Sequence, residues 1–261
     1  MVEGLNKFKE TLGTYSENYV IIGGTACNVV LEEAGAEPRV THDTDLIVVV
    51  EHLTKEFVAK FWTFIRDGGY SVEKRKRENE EPVYALYRFS EPKEIGYPIQ
   101  IELLARHSDT IGDPPDVHIE PILPDDYHYS LSAIVLDDDL YYYVIQHSVI
   151  IGGLKVASLE SLICLKARAY LNLLQEKREG KHVNSDDIRK HRRDVMLLVA
   201  ARAETESIKV PESILQTIKG FIHVVSTDET KSALCNSLHI NNDLLTIYLT
   251  SLGEMFEGEQ S

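Results

Sequence analysis

The sequence lacks several features that would assign the protein to a specialised class. No run of apolar residues approaches the roughly 20 that are needed to cross a bilayer. The N-terminal segment MVEGLNKFKETLG is polar and has no apolar signal-peptide core. The sequence also has no internal repeat and no low-complexity linker. We therefore expect a globular protein without a membrane partner, located in the cytoplasm.

Cysteine and basic charge are also scarce. The three cysteines are an odd number at wide spacing, which predicts reduced, buried packing residues rather than disulfides or metal ligands. The formal net charge is −15, opposite in sign to that of proteins that wrap nucleic acid non-specifically. Two local basic segments, 74–77 and 189–193, are interpreted as solvated faces, with a nucleic-acid contact as the alternative. The cysteines are Cys27, Cys164 and Cys235.

The order of apolar patterns predicts an α/β (α+β) fold in two domains. The length of 261 residues suits one large or two modest domains. Strand-like and helical segments alternate in the first half, which indicates a mixed sheet with flanking helices. Residues 106–156 suggest loops and short strands, with the tyrosines at 141–143 interpreted as sheet packing and base stacking as the alternative. The pattern from residue 159 onward is helical. We expect an α/β domain over 1–155 and a helical bundle over 156–261 that packs against it.

Two aspartates in the first half form a candidate metal site. Asp43-Thr44-Asp45 leads into a strongly apolar strand. Because side chains on a strand alternate between faces, Asp43 and Asp45 point to the same side. Magnesium is commonly held by one or two protein carboxylates together with substrate phosphates. The pair therefore predicts a site for Mg²⁺ (or Mn²⁺), with a solvated turn as the alternative.

A third carboxylate and a glycine pair add to this site. Glu102 is an isolated charge in the largely apolar strand IQIELLA, where burial is costly unless the charge is paired or metal-bound. If the two strands are neighbours, Glu102 completes a set of three carboxylates, which can hold two metals for phosphoryl transfer. An edge strand facing water is the alternative. Gly23 and Gly24 let the backbone approach a triphosphate, and Thr25 with the N–H groups of the helix start can bind phosphate oxygens. A purely structural turn is the other interpretation of the two glycines.

The segment from Tyr19 to Val50, YVIIGGTACNVVLEEAGAEPRVTHDTDLIVVV, resembles a known signature. It looks like that of the DNA polymerase β-like nucleotidyltransferase superfamily, in which a Gly-Gly or Gly-Ser turn precedes Asp-x-Asp on the next strand. The pattern R-x-T-x-D-x-D, with Arg39 and Thr41, is most similar to the AbiEii-type group of nucleotidyltransferase toxins. The resemblance implies a nucleotidyltransferase fold, an NTP substrate, Mg²⁺ or Mn²⁺ and, for the toxin group, an antitoxin protein as partner.

A looser match lies in the helical half. By resemblance, Lys166 in LESLICLKARAYL contacts the nucleotide phosphates, and Asp187 in SDDIRKHRRDV lies near the reacting centre. A polar insert separates the two segments, so Asp186 is the alternative to Asp187. From the residues alone, Lys166 lies in an apolar stretch and needs an anionic partner or a route to solvent. That partner is a triphosphate, Glu160 or a sheet carboxylate. The resemblance places Lys190, His191 and Asp194 at the edge of the site.

Together these features predict a metal-dependent nucleotidyltransferase that moves a nucleoside monophosphate from an NTP to an acceptor hydroxyl. Two alternatives keep the same fold: a nucleotide- or partner-binding module without turnover, and a metal-dependent phosphodiesterase. The acceptor is left open between a tRNA end, a protein and a small molecule. The predicted catalytic residues are Asp43, Asp45, Glu102, Lys166 and Asp187, and the predicted nucleotide-binding residues are Gly23, Gly24, Thr25, Arg39, Thr41, Lys166 and Lys190.

Overall fold

The chain divides into two compact units, Met1–Ser158 and Leu159–Ser261. The predicted mixed α/β (α+β) class is confirmed, because a mixed sheet with helices forms the first unit and helices dominate the second. None of the helices in the described ranges is long and apolar enough to cross a membrane. The computed structural model describes residues 3–37, 41, 43–76, 85–105, 111–112, 119–121, 137–203 and 206–259.

The first unit is built on a sheet of eight described strands. Their order across the sheet is β6-β3-β4-β5-β2-β1-β8-β7. The strands are β1 (Tyr19–Ile22), β2 (Asp43–Val48), β3 (Ser71–Lys76), β4 (Ala85–Ser90), β5 (Gln100–Ala105), β6 (Ile119–Pro121), β7 (Ser148–Ile151) and β8 (Leu154–Ala157). The helices are α1 (Leu5–Leu12), α2 (Gly23–Glu33), α3 (Lys55–Gly68) and α4 (Asp138–Gln146), with 3₁₀ turns at Gly13–Asn18 and Val50–His52.

Strand β2 lies in the interior of this sheet, which explains its apolar sequence. It pairs antiparallel with β1 on one side and parallel with β5 on the other. Leu46, Ile47 and Val48 are fully buried, as expected for a strand covered on both faces. The position of β2 brings the strand that starts with Asp43 directly beside the strand that carries Glu102.

An aromatic cluster covers one face of the sheet. Helix α3 places Phe61 and Trp62 against Tyr87 and Phe89 of β4, with ring centroids 5.4 to 6.0 Å apart for the pairs that join the two elements. The indole N–H of Trp62 donates a hydrogen bond of 3.1 Å to the carbonyl of Ile111. Because residues alternate along a strand, the residue between Tyr87 and Phe89 must point to the opposite face of the sheet.

The tyrosine segment 141–143 forms part of helix α4, so the prediction that it packs in a sheet is wrong. The side chain of Asp137 caps this helix by accepting a hydrogen bond of 3.0 Å from the Leu140 N–H. Acidic residues in the first turn add a favourable interaction with the helix dipole. The predicted short strands occur just afterwards as the hairpin β7–β8, which turns at two glycines with φ of 58° and 85°.

The basic segment at 74–77 begins inside strand β3. Lys74 is only 8% exposed, and its ammonium group lies 4.6 Å from the centre of the Tyr87 ring. The attraction between a cation and an aromatic ring is stronger where both are shielded from water. The interpretation as a solvated face is therefore wrong for Lys74, while Arg77 lies outside the described residues.

The second unit has a largely helical core of its own. The predicted long helix and the helix that follows it are confirmed, although Asn184, rather than Ser185, caps the latter by accepting from the Asp186 N–H. All three cysteines of the chain are buried, as predicted, and none forms a disulfide; burial raises the pKa of the Cys164 thiol. The elements are α5 (Leu159–Arg178), α6 (Ser185–Ala201), β9 (Ile208–Val210), α7 (Glu212–Thr227), α8 (Lys231–Leu238), α9 (Asn242–Met255) and β10 (Phe256–Gly258).

Candidate functional site

Asp43 and Asp45 open strand β2 on the same face of the sheet. Both are half-buried, whereas Thr44 between them is fully buried and points the other way. In the sheet register Asp45 lies beside Ile22 of β1 and Glu102 of β5, and Asp43 lies beside Gln100. The structure thus brings Asp45 and Glu102 next to each other, which is the arrangement that the sequence left conditional.

Gly23 packs directly against the Asp45 carboxylate. Its φ is 69°, and a Cβ atom placed on it would lie 1.7 Å from the Oδ2 atom of Asp45. No side chain fits in that space. The Gly-Gly pair belongs to the first turn of helix α2 and does not form a separate turn before the helix. The N-terminus of α2, which carries the positive partial charge of the helix dipole, lies next to Asp45.

Thr25 ties the start of α2 to the start of β2. Its side chain is completely buried, and its hydroxyl donates a hydrogen bond of 2.7 Å to the backbone carbonyl of Asp43. This contact positions the acidic pair. The N–H groups of a first helical turn have no intrahelical acceptor, so the backbone of Gly23, Gly24 and Thr25 is where phosphate oxygens can bind. Thr41 is half-buried ahead of β2, and Arg39 lies outside the described residues.

Glu102 is buried in an ion pair that the sequence pattern did not reveal. It is 3% exposed, so the alternative of an edge-strand charge facing water is wrong. Its Oε1 atom accepts a hydrogen bond of 2.9 Å from Nε of Arg88 and one of 3.3 Å from the side-chain amide of Gln100. In the sequence, Arg88 is a single charge in the largely apolar segment ALYRFS of β4. Only the register of β4 against β5 shows that it faces Glu102.

These side chains belong to one row across four neighbouring strands. The sheet register aligns Asp45, Glu102, Arg88 and Glu73 on β2, β5, β4 and β3. We call these four residues the charged row. In-register neighbours share a face, and Arg88 points away from the aromatic cluster, so the row lies on the opposite side of the sheet. Nη1 of Arg88 also lies 3.5 Å from Oε2 of Glu73.

Lys166 has a carboxylate partner within the second unit. It is 4% exposed, and its Nζ atom lies 3.4 Å from Oδ2 of the buried Asp194 on α6. Glu160, the partner considered from the sequence, instead pairs with Arg202 at 3.2 Å. The anionic partner that the sequence required is thus Asp194, one of the residues placed by resemblance at the edge of the site.

The acidic start of helix α6 holds the other predicted residues. Asp187 is half-buried in the first turn, whereas Asp186 is exposed and pairs with Arg189. Lys190 follows Asp187 by three residues and is half-buried. Helical spacing puts Asp187, Lys190 and Asp194 on one side of α6, since residues three and four apart are surface neighbours.

The basic segment at 189–193 is not a uniformly solvated face. Arg192 is buried and donates hydrogen bonds to the carboxylate of Asp228 and, at 2.8 Å, to the hydroxyl of Thr230. Burial opposes ionisation of Asp228, but hydrogen bonds from Thr230 and Arg192 outweigh it and lower the pKa of this carboxyl. The interpretation as a solvated face is wrong for Arg192 and holds for the exposed Arg189.

The donor set fits a divalent cation that completes its shell with phosphates and water. Among the residues that the structure describes, no group of three or more His, Cys, Asp or Glu side chains is arranged to hold a metal. Asp43 and Asp45 nevertheless supply the one or two carboxylates that Mg²⁺ takes from proteins. The space at Gly23 leaves the Asp45 carboxylate close to the helix start.

Comparison with known proteins adds no assignment. Searches against models of protein families and against curated proteins found no match. The resemblance of residues 19–50 to the polymerase β-like superfamily therefore stays a prediction, and the geometry of the site is the basis on which a function can be proposed.

Proposed function

We propose that this protein is a metal-dependent nucleotidyltransferase that transfers a nucleoside monophosphate from an NTP to an acceptor hydroxyl. The observation that carries the proposal is the contact of Gly23 with the carboxylate of Asp45. It joins a helix start, which favours phosphate, to an acidic pair, which favours Mg²⁺ or Mn²⁺. A solvated turn would not need a glycine packed against its carboxylate.

The residues of the first unit have separate tasks in this proposal. Asp43 and Asp45 hold the cation, which when bound neutralises charge on the phosphates. The first-turn N–H groups of α2 donate to phosphate oxygens, and Thr25 keeps both elements in place. The acceptor hydroxyl oxygen attacks the α-phosphorus and gives up its proton to solvent, while the bond from that phosphorus to the α,β-bridging oxygen breaks and pyrophosphate leaves. Lys166 and Asp187 are assigned to the nucleotide by resemblance alone.

The transfer reaction is tested with α-labelled NTPs, Mg²⁺ and cell extract. The double variant Asp43→Asn/Asp45→Asn is expected to lose transfer of label and pyrophosphate release. The exposed Asp67 on α3 provides the control, since Asp67→Asn removes a carboxylate of the same unit outside the site. Equal labelling by the wild type and the double variant would show that this mechanism is wrong.

The same reagents separate the alternatives that the sequence left open. Nucleotide binding in a calorimeter without pyrophosphate release indicates a binding module. Cleavage of a generic phosphodiester, with loss of cleavage in the double variant, indicates a phosphodiesterase. A labelled macromolecule or small molecule in the extract identifies the acceptor class as tRNA, protein or metabolite, and a co-purifying protein tests the predicted antitoxin partner.

A further inference from the structure

Arg88 stands between two carboxylates of the charged row. Nε lies 2.9 Å from Glu102 Oε1, and Nη1 lies 3.5 Å from Glu73 Oε2. The Arg88 side chain is half-buried, and that of Glu102 is almost wholly buried. A guanidinium has a fixed fork of donors and keeps its charge in the interior. Glu102 therefore has its counter-charge without a metal ion.

The sheet register places Glu102 beside the acidic pair. Glu102 lies directly beside Asp45, and Gln100 lies directly beside Asp43. Neighbouring strands of a sheet lie about 4.8 Å apart, so register partners on one face are close enough for two carboxylates to share one cation. The charged row thus contains a third carboxylate next to the acidic pair, with its Oε1 atom already bound to Arg88.

We propose that Arg88 is a positioning residue that holds Glu102 out of the cation's ligand shell, so that among the described residues Asp43 and Asp45 supply the carboxylate ligands. This inference depends on the proposed function, because it concerns the same cation. A charge-assisted hydrogen bond from Arg88 competes directly with metal ligation at Oε1. The resulting site has weak affinity for a free cation and relies on the NTP to supply the remaining oxygen ligands.

The decisive measurement is Mn²⁺ binding in the absence of nucleotide. Isothermal titration and the electron paramagnetic resonance signal of free Mn²⁺ both report affinity without any need for turnover. In Arg88→Met, Glu102 is released beside Asp45, and Mn²⁺ affinity is expected to rise about tenfold, because a third carboxylate adds a strong attraction to a divalent ion. Unchanged or weaker binding in a folded Arg88→Met protein would overturn the inference.

Two further variants assign the effect to Glu102. Arg88→Met/Glu102→Gln is expected to return Mn²⁺ affinity to that of the wild type. Arg202→Met opens a comparable buried arginine–carboxylate pair, Arg202 with Glu160, and is expected to leave Mn²⁺ affinity unchanged. If Arg202→Met raises the affinity as much as Arg88→Met does, the effect is one of total charge, and the inference is wrong.

Glu102→Gln alone provides a test that does not require the arginine variant to fold. The inference expects Mn²⁺ affinity within about twofold of the wild type, since the lost carboxylate is not a ligand. A loss of about tenfold or more would show that Glu102 binds the cation and would overturn the inference, while leaving the proposed function standing. An absence of Mn²⁺ binding in Arg88→Met would overturn the inference, and an absence of Mn²⁺ binding in the wild type even with an NTP present would overturn the proposed function.

Discussion

Gly23 occupies a position where the backbone angle and the available space both exclude a side chain. Its φ is 69°, and the Asp45 carboxylate lies where a methyl group would be. Gly35, at the other end of the same helix, also has a positive φ of 73°, but a methyl group added there would meet nothing within 4 Å. An alanine at Gly35 thus tests the backbone strain alone, whereas an alanine at Gly23 adds a clash with Asp45.

Gly23→Ala is expected to lower the free energy of unfolding by about 3 kcal/mol, the sum of a left-handed backbone and an overpacked contact. Gly35→Ala is expected to cost only about 1 kcal/mol, the backbone part alone. Urea denaturation measures both, and Mn²⁺ titration of the folded fraction tests whether Asp45 has moved. Equal losses of unfolding free energy in the two variants would show that the clash with Asp45 does not destabilise Gly23→Ala.

Lys166 and Asp194 form a buried ion pair in the second unit. Lys166→Met is expected to lower the free energy of unfolding by about 3 kcal/mol, because it removes the ammonium partner of a buried carboxylate. Arg189→Met breaks the exposed pair with Asp186 and is expected to cost less than about 1 kcal/mol. Thermal or urea unfolding gives both values.

The double variant Lys166→Met/Asp194→Leu distinguishes pairing from lost volume. Apolar replacement of a buried ion pair is often neutral or stabilising, so most of the stability is expected to return. If the double variant is as unstable as Lys166→Met, the ion pair is not the reason for the loss.

The sequence predicted single residues better than it predicted their partners. The alternation of Asp43 and Asp45 follows from strand geometry alone, and the isolated position of Glu102 correctly indicated a buried, compensated charge. The identity of Arg88 as its partner depends on how β4 and β5 align, which no local pattern encodes. The same holds for Lys166, whose partner Asp194 lies on the next helix.

Helix α4 shows where element prediction fails. Residues 141–145 are aromatic and β-branched, a composition that favours strands. The Asp137 cap and the acidic first turn outweigh that preference, because they satisfy the N–H groups of the helix start. In this segment the capping signal is stronger than the strand preference of the tyrosines.

Asp228, between α7 and α8, ties these helices to α6 through Arg192. The pKa of the Asp228 carboxyl is lowered, which determines the direction in which pH changes stability. A carboxyl whose pKa is lower in the folded state stabilises the fold above its unfolded pKa, and the contribution is lost as pH falls through the folded value. The stability of the second unit is therefore expected to decline below about pH 4, where aspartate ordinarily titrates.

This acid dependence is tested by urea unfolding from neutral pH to pH 3. Thr230→Val removes one hydroxyl donor to Asp228 and is expected to weaken the acid dependence. Thr227→Val removes a hydroxyl that bonds only to backbone carbonyls of its own helix and is expected to leave it in place. Identical acid dependence in the two variants would contradict the assignment to Asp228.

At the scale of the whole molecule, each unit has its own core. In the second unit that core joins α6, α7 and α9 through completely buried apolar side chains, so residues 159–261 contain what an independent domain needs. We expect this fragment to fold alone and to show a cooperative thermal transition by far-UV circular dichroism. A fragment without a cooperative transition would show that the unit depends on the rest of the chain. The core includes Val195, Met196, Leu198, Phe221, Val225 and Leu252.

The order of elements was largely predictable, because apolar spacing reports helices and strands directly. The sheet order and the parallel pair β9–β10 were not, since pairing between distant segments leaves no local trace. The α/β class could be predicted from apolar spacing. The position of the charged row depends on strand pairing and could not be predicted.

The chain contains a single tryptophan, Trp62, and it lies buried in the aromatic cluster of the first unit. Its fluorescence emission therefore reports the loss of that cluster and is blind to the second unit. Helical dichroism comes from both units, and most of the second unit is helical. Recording the two signals in one denaturation series shows, without labels, whether the units unfold in one step or in two.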